Sequence, residues 1–188
     1  GTPLEAELKA KATIKVEDKI TTDHIMPAGA RLKFRSNIPV YAKYVFEPCD
    51  PQFHDKALAN KAAGFGNVII AGESYGQGSS REHAALCPMY LGVRAIIAKS
   101  IERIHNANLI NFGIVPFVFA DTAAYDGIDA EDELVFEKLS EAIAADGCVT
   151  VRNLTKGTSF VVQAKLTERQ KAILAAGGLM RFIANGNA

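Results

Sequence analysis

The sequence of 188 residues has no tryptophan and only three cysteines, Cys49, Cys87 and Cys148. The count is odd and no pair stands in C-x-x-C spacing, which argues against a disulfide framework and against a self-contained zinc or iron–sulfur site. Charge of one sign is also missing: 21 Lys and Arg balance 21 Asp and Glu. A chain without a basic excess offers no electrostatic footprint for nucleic acid or for an anionic membrane. No apolar run reaches the length of a membrane span, and no secretory leader opens the sequence. A cytoplasmic location is expected on those grounds. Internal repeats and low-complexity tracts are absent as well.

What is present can build a core. Apolar residues make up 48% of the chain, which argues against disorder and fits one compact α/β domain. The opening "GTPLEAELKAKA" starts on Gly1 rather than Met and mixes proline with charged and small residues. Residues 1–12 are therefore expected to be a linker-like segment and 13–188 the folded domain, the whole being a piece of something longer.

"ATIKVED" alternates apolar and polar residues and predicts a strand with Ile14 and Val16 on one face. "NVIIAG", "VRAIIA" and "IVPFVF" are short continuous apolar runs, as expected of strands buried on both faces. Between them, "REHAALCPMYLG" reads as a helix kinked by Pro88. "SIERIHNANLINFG" reads as a helix with Ile101, Ile104 and Phe112 on its inner face and Gly113 as its stop. "PVYAKYVF" reads as a short helix capped by Ser36 or Asn37, and "PQFHDKALANKAAGFG" as one stopped by Gly64. "ITTDHIMPAGARLKFRSNIP" reads as a long loop and "AYDGIDAEDE" as an acidic turn. Toward the end, "CVTVRN" and "TSFVVQAK" flank a turn and predict a hairpin, and Thr167 with Gln170 forms a capping box. Strand and helix alternate in the middle, so the expected fold is α/β, with a mostly parallel central sheet, flanking helices and an added antiparallel hairpin.

The segment with most chemical content is "GESYGQGSSREHAAL", Gly72–Leu86. It joins a buried strand to a helix, where unpaired amides and the helix dipole favour negative charge. No Walker or dinucleotide pattern is present. Ser79 reads either as a plain helix N-cap or as a hydroxyl held beside the fixed cation of Arg81, a set that suits a carboxylate or a serine alkoxide. Lowering a serine by ~5 pKa units needs roughly 7 kcal/mol. One guanidinium at ~4 Å supplies about 4 kcal/mol at an effective dielectric near 20, and a helix terminus at most ~2 kcal/mol. A serine base here therefore requires a second surface that closes over it and excludes water.

The same segment resembles the signature of the C-terminal swivelling domain (domain 4) of the aconitase superfamily. "TTDHIMPAG…LKFR" is similar to that family's earlier active-site loop, and "LGVRAIIAKSIERIHNANLINFGIVPF" to the strand–helix–strand that follows its serines. The tail "LTERQKAILAAGGLMRFIA" also matches. The resemblance implies a swivelling β/β/α domain of a hydro-lyase that interconverts citrate and isocitrate through cis-aconitate. It implies that Ser79 is the catalytic base, that Ser80 and Arg81 bind substrate and stabilise the alkoxide, and that Arg35 grips a substrate carboxylate. Asp23 would orient this basic cluster, with an Asx-turn or cap role as its alternative. The family's 4Fe-4S cluster has its cysteine ligands in other domains, and the three cysteines here do not match them. The chain is thus expected to bind no metal itself, to need the large cluster-bearing domains as partner, and to be inactive alone. "TTDHIMPAG" and "GESYGQGSSREHAAL" sit closer to single-chain aconitases than to the small subunits of isopropylmalate isomerase or homoaconitase. Those small subunits remain the alternative, with an inactive structural or RNA-binding domain as the non-enzyme alternative.

Overall fold

The computed structural model describes residues 1–187. In chain order the elements are β1 (Leu8–Lys15), α1 (Thr22–Ile25), α2 (Ile38–Tyr41), α3 (Phe53–Ala62), β2 (Gly66–Ala71), α4 (His83–Tyr90), β3 (Val93–Ala98), α5 (Arg103–Asn111), β4 (Val115–Phe119), β5 (Glu133–Phe136), α6 (Leu139–Ala144), β6 (Cys148–Asn153), β7 (Thr158–Gln163), α7 (Glu168–Ala176) and α8 (Leu179–Ala184). The strands close into one barrel in the order β1-β2-β3-β4-β7-β6-β5.

This corrects the expected mostly parallel central sheet with flanking helices. The pairs β1–β2, β2–β3 and β3–β4 are parallel, but β4–β7, β7–β6, β6–β5 and β5–β1 are antiparallel. Closure depends on β5, a four-residue strand in the stretch after the acidic turn, where no hairpin motif announces it. It pairs with β1 from Leu8 opposite Phe136 to Lys11 opposite Glu133. The barrel thus begins inside the segment expected to be linker-like: Leu8 and Ala10 are buried among the barrel residues. Glu5 is ion-paired with Arg94, and the amides of Leu139 and Ser140 donate to the carbonyls of Ala6 and Glu5.

The apolar runs of β2 and β3 have two faces because side chains alternate across a strand. Val68, Ile70, Ala95 and Ile97 join the barrel interior with Phe117, Phe136 and Val151, while Ile69, Ala71, Ile96 and Ala98 pack outward under the helices. β1 changes sides along its length. Ala10 and Ala12 belong to the interior and Ile14 to the outer layer, because the register slips between Ala12 and Ile14, as a bulge does. Thr13, the extra residue, is buried, and its hydroxyl donates to Asn67 Oδ1 at 2.5 Å. Asn67 is satisfied on both sides of its amide: Asn60 donates to its Oδ1, and its Nδ2 donates to the carbonyls of Ala57 and Leu91.

The late hairpin forms as expected, with Val149 opposite Val162 and Val151 opposite Phe160. The Thr167–Gln170 capping box is in place. The inner face expected for α5 needs correction. Ile104 is 55% exposed, whereas His105, Leu109 and Ile110 are buried; the apolar residue yields to a histidine for a reason that lies in the loop above it.

Candidate active site

Parallel neighbours send their carboxyl ends to one side of the fold, and loops gather there. The loops after β1, β2 and β3 meet at that end. Thr21 pairs with Gln77 and Tyr75 with Ile101 as isolated parallel bridges. The Thr22 amide donates to Gln77 O at 2.8 Å, and its hydroxyl to Ser79 O at 2.9 Å.

The first loop is more ordered than expected. Thr21 caps α1, accepting from the His24 amide while its own amide donates to His24 Nδ1. The cap role is therefore Thr21's, and Asp23 points elsewhere: its carboxylate is ion-paired with the Arg81 guanidinium. The Arg81 side chain is 19% exposed and Asp23 is 73% exposed. The cation is held in the fold while its counterion stays open to solvent. A 3₁₀ turn then runs from Gly29 to Phe34 and ends on Arg35, whose carbonyl faces His83 Nε2 at 2.9 Å.

The serine loop is shaped by its glycines. Gly76 has φ +89°, and a Cβ there would lie 2.4 Å from the His105 ring; only glycine fits both conditions. This explains α5, since its first turns back the loop and His105 forms the floor. The His105 ring lies 5.4 Å from Tyr75, both residues are buried, and neither ring nitrogen nor the Tyr75 hydroxyl has a hydrogen-bond partner among the described residues. Burial pushes His105 down to about 4 and raises Tyr75. His105 is thus a neutral imidazole near neutral pH. One helical turn on, Asn108 Nδ2 donates to Ser80 Oγ at 3.3 Å.

Ser79 and Ser80 are exposed. Ser79 is not an N-cap, because α4 begins four residues later at His83 and its cap position is Glu82. Asp23 and Arg81 are in direct contact, Ser79 and Ser80 adjoin Arg81 in the same loop, and the Arg35 backbone reaches that loop through His83. Sequence reasoning left out Thr22 and Asn108, whose side chains hold the two serines; nothing in their local pattern distinguishes them from ordinary surface residues. The space between the serine loop and α5 is a cleft of ≈ 210 Å³ lined by Thr22, Gly76, Gly78, Ser80, Glu102 and His105, among others.

The cysteines do not fit a cluster. Cys87 is buried, with its thiol pushed up to about 12, while Cys49 and Cys148 are exposed on other elements. Among the described residues no group of three His, Cys, Asp or Glu side chains is arranged to hold a metal ion. No helix is long and apolar enough to cross a membrane.

Comparison with known proteins places this geometry. Residues 36–122 match the family model described as the aconitase C-terminal domain, a range that includes the serine trio and leaves out Asp23 and Arg35. The 3-isopropylmalate dehydratase small subunit 2 of Archaeoglobus fulgidus is 42% identical over 90% of this chain and 90% of its own length. The mitochondrial homocitrate dehydratase of Saccharomyces cerevisiae is 34% identical over 95% of this chain, and the mitochondrial aconitate hydratase of Gracilaria gracilis 36% identical over 78%. The chain spans only 26% and 21% of those two proteins. A crystal structure of 3-isopropylmalate dehydratase from Methanocaldococcus jannaschii superposes with a TM-score of 0.76 at 29% identity, covering 96% of this chain and 95% of that one. With these matches and the serine–arginine loop at the head of its parallel strands, the chain belongs to the aconitase C-terminal domain family.

Proposed function

We propose that this chain is the proton-transfer and carboxylate-binding part of a hydro-lyase that interconverts citrate and isocitrate through cis-aconitate. The observation that carries the reading is the enclosed Arg81 guanidinium, paired with Asp23 beside two exposed serine hydroxyls. Removing a proton next to a carboxylate requires a base at the carbon and cations at the carboxylates. Ser79 Oγ takes the proton, Arg81 stabilises the alkoxide, and Ser80 and Arg35 hold the substrate's carboxylates, Arg35 through the planar fork that suits such groups. Asp23 keeps Arg81 oriented.

Electrostatics bears on how the site must be completed. With α4 starting at His83, Ser79 draws little from the helix dipole, which fades within one turn. A guanidinium within ~4 Å would supply about 4 of the roughly 7 kcal/mol that an alkoxide needs. Of the five candidate residues only Ser80 lines the ≈ 210 Å³ cleft, so this chain does not enclose the others. Both points call for a second body that closes over the serines and excludes water. That body is the cluster-bearing remainder of the enzyme, in the same chain or as a large subunit. The iron–sulfur cluster belongs there, because the cysteines of this chain do not fit it. The cytoplasmic placement is part of the same proposal for a bacterial-type enzyme.

A second reading, a separate small subunit acting on 3-isopropylmalate, is favoured by the near end-to-end match to the Archaeoglobus fulgidus small subunit. Turnover of citrate against 3-isopropylmalate by the complete enzyme decides between the two. For either, Ser79→Ala in the complete enzyme should lower kcat about 10²- to 10⁴-fold with the thermal midpoint unchanged. Near-normal turnover would remove Ser79 as the base.

A further inference from the structure

The loop that carries Arg35 is tied at both ends, and both ties run through one pair of rings. Ahead of the loop, the Tyr41 hydroxyl donates to the Pro27 carbonyl at 3.0 Å. Behind it, His83 Nε2 lies 2.9 Å from the Arg35 carbonyl. A carbonyl oxygen only accepts, so Nε2 must carry the proton, whatever the charge on the imidazole. The two rings meet edge to face, with centroids 5.4 Å apart and planes at 60°. Tyr41 is 1% exposed, so this brace stands on the core. The 3₁₀ turn between the anchors, Gly29–Phe34, has no buried residue of its own. Among its other ties, Arg31 pairs with Glu47 and lies over the Tyr44 ring, and Phe34 stacks on Tyr44 at the edge of the core.

We infer that His83 is a positioning residue for Arg35: its Nε2–H, braced by Tyr41, sets where the Arg35 backbone sits and hence where the guanidinium can reach. His83 opens α4 two residues after Arg81, so the histidine also couples the carboxylate-binding loop to the proton-transfer loop. This bond adds to the ties that Thr22 and Asp23 make to the serine loop. This inference rests on the hydro-lyase reading, in which Arg35 holds a substrate carboxylate.

The test uses the complete enzyme with citrate or isocitrate. His83→Leu should raise KM about tenfold while kcat changes less than about threefold, the scale expected for losing one hydrogen bond that acts on binding. His83→Gln, whose amide N–H can reach the same carbonyl, should restore most of the lost affinity. In an Arg35→Ala background His83→Leu should add nothing to KM, because the histidine acts only through that arginine. Backbone hydrogen exchange over residues 28–36 should speed up in His83→Leu and stay near normal in His83→Gln. KM effects that add in the double variant, or a silent His83→Leu beside an Arg35→Ala that raises KM, would overturn the positioning role alone. An Arg35→Ala enzyme with unchanged KM would overturn the carboxylate-binding reading and this inference with it.

Discussion

The two ends of the barrel both carry arginines and hollows, and they differ in how those arginines are used. At the amino ends of the parallel strands lie hollows of ≈ 340 and ≈ 390 Å³, with Lys61 and Arg94 on their walls. Arg94 is 14% exposed and makes two bonds to the Glu5 carboxylate, and Lys61 reaches the Tyr90 carbonyl. Arg94 fastens the N-terminal segment to the barrel. At the carboxyl ends Ser79 and Ser80 are exposed and the counterion of Arg81 is 73% exposed. An open counterion can be exchanged for a substrate carboxylate at small cost, whereas a chelated one cannot. Hollow volume does not separate the two ends, since a hollow of ≈ 380 Å³ lies beside Arg35; the disposition of donors does.

Substitutions at matched positions sharpen this contrast. Arg81→Ala should lower kcat/KM of the complete enzyme a hundred- to thousandfold, equivalent to about 3–4 kcal/mol of transition-state stabilisation, and steady-state kinetics would show it. Next in size is an acid sensitivity that belongs to the serine end. His105 titrates near its ordinary 6.5 when unfolded and at about 4 in the fold. Below 6.5 the unfolded chain takes up a proton that the folded chain refuses. Stability should therefore be unaffected above that pH and fall by up to about 3 kcal/mol between pH 6.5 and 4. Urea unfolding at pH 7 and pH 5 measures the slope, and His105→Phe should flatten it. Gly76→Ala should cost about 2 kcal/mol, from the positive φ and the contact with the His105 ring, and should lower activity beyond its effect on stability. Smallest of all, Arg94→Ala should cost about 1 kcal/mol of stability with activity near normal. A large loss of turnover in Arg94→Ala would break the contrast.

Much of the candidate site was legible in the sequence because it is local. The serine trio sits in one loop between two apolar runs, and both runs formed the expected strands, β2 and β3. The hairpin and the Thr167 capping box follow from alternation and from i,i+3 chemistry. The closed barrel was not legible. It depends on β5, four residues of "ELVF" pairing with a strand more than a hundred positions earlier, and on a β4–β7 seam of only two residue pairs. Nor was the exchange of Ile104 for His105 on the inner face of α5, which follows from a glycine in a different loop. Ser79 as a helix cap was a fair local alternative that the later start of α4 removes.

The claim at the centre is that the loops after β1 and β2 form one substrate-facing surface. Hydrogen exchange on the complete enzyme, with and without a saturating tricarboxylate, measures this directly. The account predicts that protection rises together over residues 22–36 and 76–83 and stays unchanged over 58–66 and 92–94. Protection confined to the amino-end hollows, or to only one of the two loops, would contradict it.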